Sequence, residues 1–252
     1  MTIRLACAAA LSLALALPAA ADNKPWRVSL TGDRFDGASW HTGVLIELAP
    51  GWKTYWRMPG DSGIPPEFTW TPSRAAKVDV QFPAPARYVD KGGETVGYLQ
   101  DVIFPVTVTP ERPGALDLKL GLFFAVCKDV CIPAQAEASI SLGLDQRDPS
   151  GSARVEAARA AVPAAGDAIT GAAIVSDGGK PALKLTLKER PDDIFVESAT
   201  TAYFHAPVLS ADGREARLAI GSLGDAAKLK GQTVTITYLI GGKGYDQTLA
   251  LP

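Results

Sequence analysis

"ALDLKLGLFFAVCKDVCIPAQAEASISL", residues 115–142, carries both a strand pattern and the two cysteines of the central chain. Leu116, Leu118, Leu120 and Leu122 alternate with Asp117, Lys119 and Gly121, the period of a strand with one buried face. Cys127 and Cys131 follow, with three residues between them. On one continuous strand, residues four apart lie about 13 Å from each other, too far for a disulfide. A helix would bring them together, but Val126, Val130 and Ile132 are β-branched and Pro133 comes next. The reading that remains is two strands, "LKLGLFFAV" and "IPAQAEASISL", joined by the turn "KDV". The cysteines then face each other at the mouth of a hairpin. Opposed strand residues have Cα atoms about 4.5–5.5 Å apart, within disulfide reach.

The same alternation extends outward. "WRVSL" sets Trp26, Val28 and Leu30 on one face, "GVLIEL" does so with Val44, Ile46 and Leu48, and "FPVTVT" with Phe104, Val106 and Val108. "APG" (49–51), "MPGDSGIPP" (58–66), "KGG" (91–93) and "ERPG" (111–114) punctuate the strands as turns. About eight strands in some 120 residues predict an antiparallel sandwich of immunoglobulin type. Between Asp145 and Asp167 the texture becomes rich in Ala, Pro, Gly and Ser, with one helical piece, "SARVEAARAA". Beyond it "ALKLTL", "DIFVES", "AYFHAPVL" and "EARLAI" alternate again, and "TVTITY" runs through "GGKG" into "YDQTLAL" as a hairpin. The expected fold class is all-β: two tandem immunoglobulin-like β-sandwich domains, residues 22–145 and 168–252. A linker with a short helix, residues 146–167, joins them.

The amino terminus reads as an export signal. Arg4 precedes the apolar run "LACAAALSLALALPAAA", and Ala19 and Ala21 fit a small-residue cleavage site, so a signal peptide over residues 1–21 is expected. Cys7 would leave with it. The chain carries 27 acidic and 25 basic side chains. Loss of Arg4 leaves a net charge of about −3, which gives no basic field for nucleic acid. No later stretch has the ~20 apolar residues of a spanning helix, so the protein is expected to be soluble and exported rather than membrane-spanning. In such a compartment two cysteines can persist as a disulfide.

What the pair is for remains open on spacing alone. In the chain-entropy model so short a loop stabilises by only about 2 kcal/mol, against about 4.7 for a hundred-residue loop. A staple is poorly placed here, whereas a turn is reachable by a partner. Lys128 favours a thiolate at Cys127 and Asp129 opposes it. A redox pair, a structural disulfide and a soft-metal clip all fit.

Three motifs in register add to this reading: "GWKTYWRMPGDSGIPPEFTW" (51–70), "GYLQDVIFPVTVTP" (97–110) and "CKDVCIP" (127–133). Over residues 26–144 the chain resembles the amino-terminal periplasmic domain of the thiol:disulfide interchange protein DsbD, and more closely that of ScsB-type reductases. The resemblance implies an immunoglobulin-like fold and protein-disulfide reductase activity without a cofactor. Electrons would pass from a membrane thiol-electron donor to periplasmic thioredoxin-like or disulfide isomerase proteins. It makes Cys127 and Cys131 the redox pair, with Cys131 forming the mixed disulfide. Tyr55, Asp90, Tyr98, Lys128 and Asp129 would be its surroundings. The family's cap loop corresponds to "DKGGETV" (90–96), with Lys91 or Gly92 where an aromatic residue would sit; Tyr88 or the loop "PGDSGIPP" is the expected substitute. Family members continue into a membrane domain, whereas this chain ends at Pro252, so a separate donor protein is expected.

Other patterns have plainer readings. His41 with Ser39 and Asp36 lacks a nucleophile elbow and reads as a strand histidine; His205 is expected to decorate the second domain. "GGKG" (241–244) lacks Walker A spacing and reads as a turn. Trp52, Tyr55, Trp56, Phe68 and Trp70 read as sandwich core before a carbohydrate platform. Asp192–Asp193 and the Asp61/Glu67 pair read as solvated turns. The alternative from another class is a non-catalytic periplasmic binding or adaptor protein, copper-handling or chaperone-like. Its cysteines would then be Cu(I) ligands or a structural disulfide.

Overall fold

A computed structural model describes residues 24–60, 63–90, 93–200, 202–221 and 226–252. The signal peptide assigned to residues 1–21 lies outside them, as do Asp61, Ser62, Lys91 and Gly92.

Ten antiparallel strands build the first sandwich. One sheet has the order β1-β2-β8-β5: β1 (Trp26–Phe35), β2 (Trp40–Leu48), β8 (Val102–Pro110) and β5 (Ala76–Val80). The other runs β10-β9-β3-β7-β6: β10 (Cys131–Leu142), β9 (Leu116–Cys127), β3 (Lys53–Gly60), β7 (Gly93–Tyr98) and β6 (Ala86–Asp90). Past the end of its short pairing with β3, β9 is joined by β4 (Glu67–Pro72). The predicted leucine face of β9 is buried from Leu116 through Leu122, and Phe124 and Val126 prolong it. It packs across the sandwich on Val44, Ile46, Phe104 and Val106. Burying alternate apolar side chains from both sheets is the main driving force for this half.

The helical piece is α1 (Pro149–Ala160), and it does more than bridge two sandwiches. Its Val155, fully buried, packs with Ala158 on Leu45 and Ile103, adding a third layer to the first sandwich. Asp148 caps it: one carboxylate oxygen accepts from the Gly151 N–H at 2.8 Å. The other accepts from Thr31 Oγ1 and the Gly32 N–H, both at 2.9 Å. These bonds hold the Asp148 carboxyl down at about 2, the Gly32 bond contributing most. A sequence window reads the helix but not the sheet face that receives it.

The second sandwich pairs two further sheets. One runs β11-β18-β17-β14: β11 (Ala164–Ala165), β18 (Lys243–Ala250), β17 (Thr233–Ile240) and β14 (Asp193–Ser198). The other runs β12-β13-β16-β15: β12 (Ile169–Asp177), β13 (Lys180–Leu187), β16 (Glu215–Ala219) and β15 (Val208–Leu209). The β17–β18 hairpin turns at Gly241 and Gly242, both at positive φ, as the sequence "GGKG" requires. The expected all-β pair of immunoglobulin-like sandwiches is therefore the observed architecture.

Between the sandwiches lies a closed seam. Trp56 and Val96 of the first meet Phe195 of the second, with the Trp56 and Phe195 rings 5.7 Å apart, edge to face. Arg57 stacks 4.3 Å over Trp56 and forms ion pairs with Glu197 at 2.8 Å and Asp246 at 3.2 Å. Arg87 bonds Asp193, the Ile194 carbonyl and Glu94. Burial pushes the Glu197 carboxyl up, against the opposing pull of Arg57.

Candidate functional site

The local sequence dictates the site. β9 and β10 pair over their whole length in the register Cys127↔Cys131, Val126↔Ile132 and Ala125↔Pro133. Lys128, Asp129 and Val130 form the turn, with the Lys128 N–H donating to the Val130 carbonyl at 3.4 Å. The opposed cysteines are joined as a disulfide, with a Cα–Cα distance of 4.0 Å. Pro133 is tolerated in β10 because that strand is an edge and a proline lacks the N–H of an inner ladder.

The two sulfurs sit in different surroundings. Cys127 is 7% exposed and packs with Tyr55, Ala125 and Ile64. Cys131 is exposed, and its chain neighbours Val130 and Ile132 are exposed apolar residues, at 69% and 40%. The buried Tyr55 reaches from β3 and its hydroxyl donates to Sγ of Cys131 at 3.2 Å. Part of the loop "PGDSGIPP" covers Tyr55: a Cβ on Gly63 would lie 2.5 Å from its ring, so the close approach needs glycine. Ile64 from this same loop completes the apolar wall beside Cys127.

The other residues assigned to the surroundings are not all brought here. Lys128 and Asp129 are exposed in the turn, and the Lys128 ammonium end lies across the Gly51 turn. Tyr98 stands apart. Its hydroxyl donates to the Pro83 carbonyl at 2.8 Å, its ring packs edge-on to Phe104, and burial pushes its phenol up. Alternation along β7 turns that ring into the sandwich core. Asp90 ends β6, and the cap-loop positions Lys91 and Gly92 fall outside the described residues. Tyr88, the other expected substitute for a cap, lies on β6 opposite Thr95.

Sequence reasoning passed over Lys53. It pairs with Cys127 across β3 and β9 and is 5% exposed. Its spacing two residues before Tyr55 was the available signal, since alternation sets both on one face. The five aromatics near this strand divide by destination. Trp52, Phe68 and Trp70 pack on the first core, Tyr55 on the disulfide and Trp56 on the seam, so they form no shared platform. His41 bonds Asp36 at 2.7 Å, which draws the Asp36 carboxyl far down, while the Ser39 hydroxyl turns to Thr109. No triad forms. His205 faces Glu94 of the first sandwich at 4.0 Å, and so belongs to the seam rather than to a free surface of the second.

Among the described residues no group of three His, Cys, Asp or Glu side chains is placed to hold a metal ion. Nor is any helix among them long and apolar enough to cross a membrane.

A family model bears on the first half of the chain, and a solved structure on nearly all of it. Residues 24–142 match the family model for the amino-terminal region of the thiol:disulfide interchange protein DsbD. Among solved structures the chain is similar to the N-terminal periplasmic domain of ScsB from Proteus mirabilis. That likeness has a TM-score of 0.72 and 24% identity, over 94% of this chain and 96% of the other, and it establishes the shared fold. No curated protein matches the chain.

Proposed function

With residues 24–142 forming a DsbD-N-like domain, we propose that this protein is a periplasmic thiol–disulfide exchange module working through Cys127 and Cys131. The observation that carries this reading is the unequal exposure of the pair. Exchange begins when a thiolate attacks a disulfide sulfur in line, and only a reachable sulfur can be attacked. A donor thiolate attacks Sγ of Cys131, breaking the Cys127–Cys131 bond and releasing Cys127 as a thiolate. The donor's second thiolate then attacks its own sulfur in the mixed disulfide, which frees Cys131. Two electrons have entered, and the donor leaves as a disulfide.

Discharge runs in the opposite sense. The Cys131 thiolate attacks an acceptor disulfide and becomes linked to it, expelling one acceptor thiolate. Cys127 then attacks Sγ of Cys131, re-forming the intramolecular disulfide and releasing the reduced acceptor. The Tyr55 hydroxyl, already within bonding distance of Sγ of Cys131, donates to that sulfur whenever it is anionic. The donor is a membrane thiol-electron carrier and the acceptors are thioredoxin-like or isomerase proteins of the periplasm, in keeping with the periplasmic setting of the ScsB domain. The exposed Val130 and Ile132 offer such partners an apolar contact.

Trapping tests the roles. Cys127→Ala should accumulate mixed disulfides through Cys131, resolved by non-reducing electrophoresis and mass spectrometry. Cys131→Ala should accumulate few. Equal trapping by the two variants overturns the assignment.

A further inference from the structure

β3 addresses both sulfurs with alternate side chains. Tyr55 reaches Cys131. Lys53, two residues earlier, is the register partner of Cys127 on the neighbouring strand. Residues directly opposed on an antiparallel pair point to the same face with Cβ atoms about 4.5–5.5 Å apart. The face is identified by Tyr55, Ala125 and Cys127, which cluster together on it. Lysine is among the side chains least often buried, and Lys53 is 5% exposed.

We propose that Lys53 is the residue that stabilises the Cys127 thiolate when the disulfide opens, a positioning cation for the inner sulfur. This rests on the exchange reading above and adds to it the group that makes Cys127 a competent leaving thiolate. A disulfide sulfur departs faster when its thiolate is stabilised, and a neighbouring cation does that. Tyr55 shares this face with Cys127, and Ile64 adds apolar surface to it. Lys128 and Asp129, the charged residues of the turn, are exposed to solvent, where their opposite signs are screened. The arrangement therefore gives each sulfur its own partner: a hydroxyl for the outer one, an ammonium for the inner one.

Thiolate absorbance at 240 nm, followed against pH, tests this without any partner protein and without requiring reagent access to a buried sulfur. In a Cys131→Ser background, Lys53→Met should move the titration midpoint of the lone Cys127 up by about one pH unit, and so cut its thiolate fraction at neutral pH about tenfold. Lys53→Arg should keep the midpoint within a few tenths of a unit of the parent. In a Cys127→Ser background, Lys53→Met should move the Cys131 midpoint by less than half as much. Lys53→Gln takes the place of Lys53→Met if near-ultraviolet circular dichroism shows the methionine variant unfolded. An unmoved Cys127 midpoint in a folded variant, or equal movement at both cysteines, overturns the proposal. Failure of mixed-disulfide trapping with the Cys127 shift intact would instead count against the exchange reading alone.

Discussion

The hairpin tip and the seam between the sandwiches are both served by β3, through adjacent residues. Tyr55 turns to the disulfide and Trp56 to Phe195 of the second sandwich. At the tip Cys131, Val130 and Ile132 stay exposed. At the centre of the seam Trp56 and Phe195 are buried, and the Arg87 side chain is only 7% exposed despite its charge. Stability is therefore concentrated at the seam. A crosslink across a three-residue turn removes little chain entropy, while a buried aromatic pair with bidentate arginines removes much apolar surface and fixes geometry. Opening the disulfide is therefore expected to cost the fold little.

The largest effect should come from the seam. Trp56→Ala deletes its central side chain and is expected to cost about 3–5 kcal/mol in urea unfolding. It should also split a single transition into two as the sandwiches lose their contact. A cost below that of reducing the disulfide would mean that the seam is not the main store of stability. Arg87→Met comes next, at roughly 3 kcal/mol, because it strands Glu94 and Asp193 without their cation. If the loss is near zero, the buried ion pairs only balance their own desolvation.

Reducing the Cys127–Cys131 disulfide should lower stability by about 2 kcal/mol or less in the same assay, with an unchanged far-ultraviolet spectrum. A collapse of the fold on reduction would make the pair a staple. The smallest effect concerns the helix that thickens the first sandwich. Asp148→Ala removes the cap and should cost about 1 kcal/mol at neutral pH. The folded carboxyl is held at about 2, below its ordinary 3.8, so this stability is present above pH 3.8 and is lost as the pH falls toward 2. The two proteins should therefore converge in stability at the acid end. A difference that stays constant with pH would assign the cost to packing. Glu197 at the seam has the opposite sign. Its raised value favours the protonated form in the folded state, so its contribution grows as the pH falls toward the ordinary 4.5.

Much of this was legible along the chain because it depends on neighbours in sequence. Alternation from Leu116 to Leu122 foretold β9, and the β-branched residues around the cysteines foretold the hairpin and its register. The double glycine at 241–242 marked the β17–β18 turn, since two successive positive-φ residues rarely accept a side chain. The family resemblance likewise rested on short local motifs and carried Cys127, Cys131 and Tyr55 to one place. Tyr98 was different, because its motif is local but the direction of its ring is set by the core it packs on.

By itself, then, the sequence determined the strands with the clearest alternation, the facing cysteines and the two-sandwich plan, all consequences of period-two patterning and turn chemistry. Ten strands rather than about eight build the first half, β12 goes unread, and "AYFHAPVL" pairs only at Val208–Leu209 and in a bridge at Phe204. Only the tertiary structure decided that Lys53 stands opposite Cys127, that Trp56 and Arg87 close a seam, and that α1 packs on β1 and β8. Each of these joins residues far apart in the chain, through sheet pairings and packed faces that no local window contains. Apolar burial favours many such pairings almost equally. The choice among them is made when the whole core is filled at once.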